Sequence, residues 1–165
     1  MNPKTEARRM RINHWNDEDN VIHFPVNPFE IAKSLGIDVH RVHLDDSLAG
    51  FIVREEHGGP VEIYVNKSDS PVRQRFTVAH ELGHFAQRQG DKEPMGFVDE
   101  RAELASAGAD PHEVWANSFA AELLMPAAIA KKWWAKGSSV DELRRKFNVS
   151  TPAMNYRLAN LGLLK

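Results

Sequence analysis

The sequence predicts an α+β fold, a small antiparallel or mixed sheet packed on one central helix and followed by a helical pair of helix-turn-helix type at the C-terminus. Three observations predict it. Short β-branched runs cluster between residues 37 and 65, a long amphipathic pattern runs from Ser70 to about Arg88, and capped helical segments fill most of the remainder. At 165 residues the chain is long enough to enclose one ordinary core.

The first twenty residues are polar and aperiodic, ending in Asn16-Asp17-Glu18-Asp19-Asn20, and read as a flexible tail over 1–20. A short helix follows, with Asn27 as N-cap, Pro28 in the first turn, Glu30 three residues after the cap and a stop at Gly36. Extended runs at Ile37–Leu44, Leu48–Arg54 and Val61–Val65, the last two joined by His57-Gly58-Gly59-Pro60, suggest a meander. Ser70-Pro71 opens the central helix. Residues 91 to 110 mix charge, glycine and small side chains without periodicity and read as a long loop. Helices are expected from Asp110-Pro111 to Leu124, from Ala127 to Lys136, from Val140 to Phe147 and from Thr151 to Leu161. The expected organisation is a main domain over 21–136 and a helical appendage over 137–165.

Composition removes several function classes. With 21 Lys plus Arg against 23 Asp plus Glu, no broad electrostatic attraction to nucleic acid or membrane is built in. No run approaches the roughly 18 apolar residues that span a bilayer, and the N-terminus lacks the apolar stretch of a signal peptide, so a cytoplasmic protein is expected. The absence of cysteine excludes thiolate metal sites and cysteine nucleophiles, leaving histidines and carboxylates as ligands.

The central helix carries His80-Glu81-Leu82-Gly83-His84. Histidines four residues apart share a helix face, with Cβ atoms about 5–6 Å apart, so both imidazoles can reach one ion. Catalytic zinc takes three protein ligands and keeps one position open. Glu81 sits about 100° round from His80, out of line with the ligands but able to lean over the open position and take a proton from an attacking water. Gly83 costs about 1 kcal/mol relative to alanine in a helix, which suggests close packing at that point.

The best third ligand is Glu113 on the following helix, with Asn117 one turn later. This arrangement resembles the glutamate-type zincins, in which a polar residue four positions after the third ligand orients a histidine. That role would fall here to Asn117, although those enzymes more often carry Asp. Asp110-Pro111-His112-Glu113 is also a capping-box pattern, in which Glu113 would merely serve the helix start. Glu100, Glu103 and Glu122 are competing carboxylates, although Glu122 points off the face of Glu113 at 3.6 residues per turn.

Two stretches, Arg73-Gln74-Arg75-Phe76-Thr77-Val78-Ala79-His80-Glu81-Leu82-Gly83-His84 and Ala116-Asn117-Ser118-Phe119-Ala120-Ala121-Glu122-Leu123-Leu124-Met125-Pro126, resemble the ImmA/IrrE group of small bacterial and phage metallopeptidases. The likeness covers roughly residues 27 to 163. It implies a zincin-like metalloprotease fold, one zinc ion per chain held by His80, His84 and Glu113, and Glu81 as general base. It also implies cleavage of a partner protein, a transcriptional repressor encoded nearby. In that reading Ile63, Tyr64 and Val65 lie on an edge strand to which an extended substrate adds.

At the C-terminus, Val140, Leu143 and Phe147 form one apolar stripe and Met154, Leu158 and Leu161 another, with Arg144, Arg145, Lys146 and Arg157 beside them. That spacing serves packing on the body as well as a DNA groove, and direct DNA binding is not expected. Recognition of the substrate by the appendage is the more natural role. Trp133 and Trp134 read as packing residues. The alternative to an endopeptidase is a non-catalytic protein that keeps the scaffold and binds a partner protein or DNA as a regulator.

Overall fold

The computed structural model describes residues 1–100 and 110–165, with side chains left aside at 97–100. It has helices α1 (Pro3–His14) and α2 (Pro28–Ser34), strands β1 (Asp38–Val42), β2 (Leu48–Arg54) and β3 (Glu62–Asn66), and helix α3 (Pro71–Gln87). Strand β4 (Met95–Glu100) and helices α4 (Pro111–Leu124), α5 (Ala127–Ala135), α6 (Val140–Phe147) and α7 (Thr151–Asn160) complete it. The mixed sheet beside α3 is the α+β arrangement that the sequence predicts. No helix among the described residues is long and apolar enough to cross a membrane.

The sheet has the order β1-β3-β2-β4. β1 pairs parallel with β3, β2 pairs antiparallel with β3, and β4 lies antiparallel against β2. The expected meander is therefore corrected, because β1 reaches past β2 to pair with β3. The position of Ile63, Tyr64 and Val65 is corrected with it. β3 has a neighbour on each side, so its backbone groups are consumed by ladders, and Ile63 and Val65 are fully buried. Tyr64 points to the other face, stacked between His40 and Phe51 with centroids 4.8 Å apart on each side. These residues cannot accept an extra strand.

Two further expectations fall. Residues 1–20 contain α1, started by the Asn2 side chain accepting from Lys4 N and by Pro3 in the first turn. The helix packs through Ala7, Met10 and Arg11. Its inward face carries an arginine, which hides the amphipathic signal. The expected loop over 91–110 includes β4, which exists through pairing with β2; residues 101–109, with Glu103, lie outside the described residues.

Ile52, Ile63 and Val65 of the sheet, Val78 and Leu82 of α3, and Phe119 and Leu123 of α4 belong to one buried cluster. Leu143, Phe147, Met154 and Leu158 of the C-terminal pair belong to the same cluster. Gly50 lets the sheet approach α3: a Cβ there would lie 2.5 Å from the Tyr64 carbonyl oxygen and 2.7 Å from Thr77 Cγ2. A buried ionic group ties the ends together. Glu122 of α4 pairs with Arg157 of α7 and stands 3.8 Å from Arg11 of α1. Arg11 also donates to the Glu122 carbonyl oxygen, and Arg157 donates through Nε to the Met125 carbonyl oxygen at 3.0 Å. Desolvation pulls the Arg11 pKa down to about 10 against the opposing pull of Glu122, so it stays charged at neutral pH.

Candidate metal centre

Helix α3 begins where Ser70 Oγ accepts from Arg73 N and Pro71 occupies the first turn. It then runs between the sheet and α4, so His80, Glu81 and His84 are all within 2% of complete burial. A histidine pair on a helix surface would exchange its ligands with water; this one is walled in.

Helix α4 brings the carboxylate. Asp110 Oδ1 caps it by accepting from His112 N at 2.9 Å, and the side chain of Glu113 turns to the histidines. Its Oε2 lies 3.0 Å from His80 Nε2 and its Oε1 3.1 Å from His84 Nε2. The capping-box alternative is not adopted.

The approach of the two helices depends on Gly83. A Cβ at that position would meet Ala116 Cα at 3.0 Å, Ala116 O at 3.2 Å and Phe119 Cδ1 at 3.2 Å. Two of these atoms are backbone, so α4 itself would have to move. Gly83→Ala gains helix propensity of about 1 kcal/mol but overpacks a tight contact, at a typical cost of about 1–3 kcal/mol. We expect net destabilisation together with a displaced Glu113, checked by the urea midpoint and by zinc affinity of the folded protein. An unchanged midpoint and affinity would show that the contact relaxes freely.

The donor set fits a divalent ion. His80 Nδ1 lies 2.8 Å from Asn117 Oδ1. An amide oxygen accepts only, so the Nδ1 proton is committed there and Nε2 presents a lone pair. That lone pair faces His84 Nε2 at 3.1 Å and the Glu113 carboxylate. Protons on neutral imidazoles cannot satisfy all three contacts, whereas a cation can. Ligand bonds of about 2.0–2.1 Å in a tetrahedron set neighbouring donor atoms roughly 3.3–3.4 Å apart, close to these separations. Among the described residues, His80, His84 and Glu113 are the group of this kind able to hold a metal.

Of the competing carboxylates, Glu103 and the side chain of Glu100 lie outside the described residues. Glu122 belongs to the buried ionic group, and His112 Nδ1 stands 3.4 Å from Gln87 Nε2. Arg75 donates to the carbonyl oxygens of Asn148, at 3.1 Å, and Val26, so it braces loops. Much of the positive charge of the C-terminal pair is already engaged. Arg144 and Arg145 pair with Asp141, Lys146 Nζ sits 4.8 Å above the Trp133 ring, and Arg157 is buried against Glu122. Trp133 packs on Phe24 and Phe147, as its packing role predicts.

A mixed sheet beside a helix bearing the His-Glu-x-x-His motif, with a carboxylate supplied by the next helix in the same core, defines a protein of the metallopeptidase class. The chain belongs to the IrrE N-terminal-like domain family, Peptidase_M78, which matches residues 32–159. It is similar to the "Uncharacterized immunity region protein 2" of Bacillus phage phi105, 29% identical over 139 residues, covering 84% of this chain and 82% of that protein. The radiation response metalloproteases IrrE of Deinococcus deserti and Deinococcus radiodurans are 34% and 32% identical over 59% and 58% of this chain. The match spans only 35% and 30% of those two proteins. The family confirms the resemblance carried by the two motifs.

Proposed function

We propose that the chain is a zinc-dependent endopeptidase that cleaves one specific protein, a transcriptional repressor encoded nearby, in the cytoplasm. The observation that carries this reading is the convergence of His80 Nε2, His84 Nε2 and Glu113 with separations of 3.0–3.1 Å, next to a buried Glu81. His80, His84 and Glu113 would hold the ion, and Asn117 would orient His80 through its Nδ1 proton. Zinc bound there supplies Lewis-acid polarisation of the scissile carbonyl and a water of lowered pKa. Glu81 takes the proton of the attacking water and returns it to the departing amine. A base on the same helix as two ligands favours this over a purely structural site, which has no use for one.

The regulatory substrate draws support from the phage relative, whose name places it in an immunity region. The C-terminal segment 137–165 is our candidate for substrate recognition, with Tyr156 on the outward face of α7. The test is incubation of the purified chain with the product of the adjacent repressor gene, in zinc and then in a chelator. We expect about one zinc per chain and two discrete repressor fragments, lost on chelation and restored by zinc. Zinc binding without cleavage would instead favour the non-catalytic scaffold.

A further inference from the structure

Away from the metal centre, a cleft of about 410 Å³ lies where β1, α2 and the start of α3 meet, lined by Asn27, Phe29, Arg41, Pro71, Gln74 and Arg75. That volume is within the range of small-molecule sites. Its lining contains two guanidinium groups and no carboxylate. Among the described residues neither arginine has an acidic partner. Arg75 is 8% exposed, and desolvation lowers its pKa without an opposing carboxylate. A buried cation left without a counter-charge is costly, and an anion arriving from solvent relieves that cost.

Arg41 is held ready for such an anion. Its Nε donates to Gln74 Oε1 at 3.1 Å, and its guanidinium carbon lies 4.2 Å from the centroid of the Phe29 ring. Stacking and one hydrogen bond fix the plane of the group. The two terminal nitrogens have no partner among the described residues, and they form the fork that binds oxyanions in bidentate fashion. The adjacent N-terminus of α3 adds positive potential.

We propose that this cleft binds a phosphate group, free or on a small organic molecule, with Arg41 as its principal ligand and Arg75 supplying the second positive charge. One buried and one solvent-facing guanidinium, neither with an acidic partner among the described residues, match a dianion better than a single carboxylate. Arg75 lies five residues before His80 on the same helix, so an occupant also braces the start of the helix that carries the histidines.

The test is calorimetric titration of the full chain with inorganic phosphate, phenyl phosphate and succinate, with sodium chloride matching the ionic strength. We expect saturable phosphate binding with Kd of about 1 mM or tighter, weakened about tenfold or more by Arg41→Gln and partly restored by Arg41→Lys. Tighter binding of phenyl phosphate identifies an organic monoester as the ligand, and equal binding identifies free phosphate. Affinity unchanged in Glu113→Gln separates the cleft from the metal centre. The proposal is overturned by no saturable binding, by succinate binding equally well, or by affinity that follows Glu113 and ignores Arg41. A melting curve of Arg41→Gln without ligand checks that this strand-edge variant folds.

Discussion

Glu81→Gln is expected to keep one zinc per chain and lose repressor cleavage by about 10²–10⁴-fold, the usual contribution of a general base. The substitution is nearly isosteric, so the enclosed site at Glu81, 0% exposed, needs no repacking. An amide cannot take the proton of the attacking water, while His80, His84 and Glu113 remain untouched. Zinc content and fragment yield on the same preparation give the answer together. Full cleavage by the variant would remove Glu81 from the mechanism.

Replacing Glu113 should have the opposite signature. Glu113→Gln exchanges a carboxylate, set 3.0 and 3.1 Å from the two imidazoles, for a neutral amide. The charge that balances the ion is lost. The fall in zinc affinity should exceed the roughly 10–100-fold that loss of a supporting partner such as Asn117 costs, with cleavage lost in proportion to bound metal. Competition with a chromogenic chelator measures it, with Asn117→Ala as the internal comparison. Affinity equal to the unaltered chain would mean that another group completes the site.

These expectations rest on residues that sequence alone singles out, because each signal is local. Two histidines at i and i+4 share a helix face whatever surrounds them. The starts of α2, α3, α4, α6 and α7 are legible because Asn27, Ser70, Asp110, Ser139 and Ser150 all act as side-chain caps. Alternation of side chains identifies a strand but not its neighbour, so the parallel pairing of β1 with β3, and with it the interior position of Ile63 and Val65, is not encoded locally. β4 escapes for a related reason, since Met95-Gly96-Phe97 has little strand signal and depends on β2 for its existence. α1 is invisible because Arg11 is buried by virtue of Glu122, 111 residues later in the chain. Gly83 falls between these cases: its cost in a helix signals crowding, but only the fold shows that Ala116 and Phe119 do the crowding.

Glu122 is a clasp that holds the first and last helices of this structure to one point on α4, nine residues beyond Glu113. Releasing either arginine leaves Glu122 with a single arginine partner and strips a buried carbonyl oxygen of its guanidinium donor, at a cost of about 1–3 kcal/mol that is a sizeable share of a small domain's stability. Fraying at either terminus therefore propagates to the opposite one and to the ligand-bearing helix between them. Proteolytic trimming or a bulky fusion that pries off α1 should loosen the candidate metal centre even though α1 supplies none of the candidate ligands.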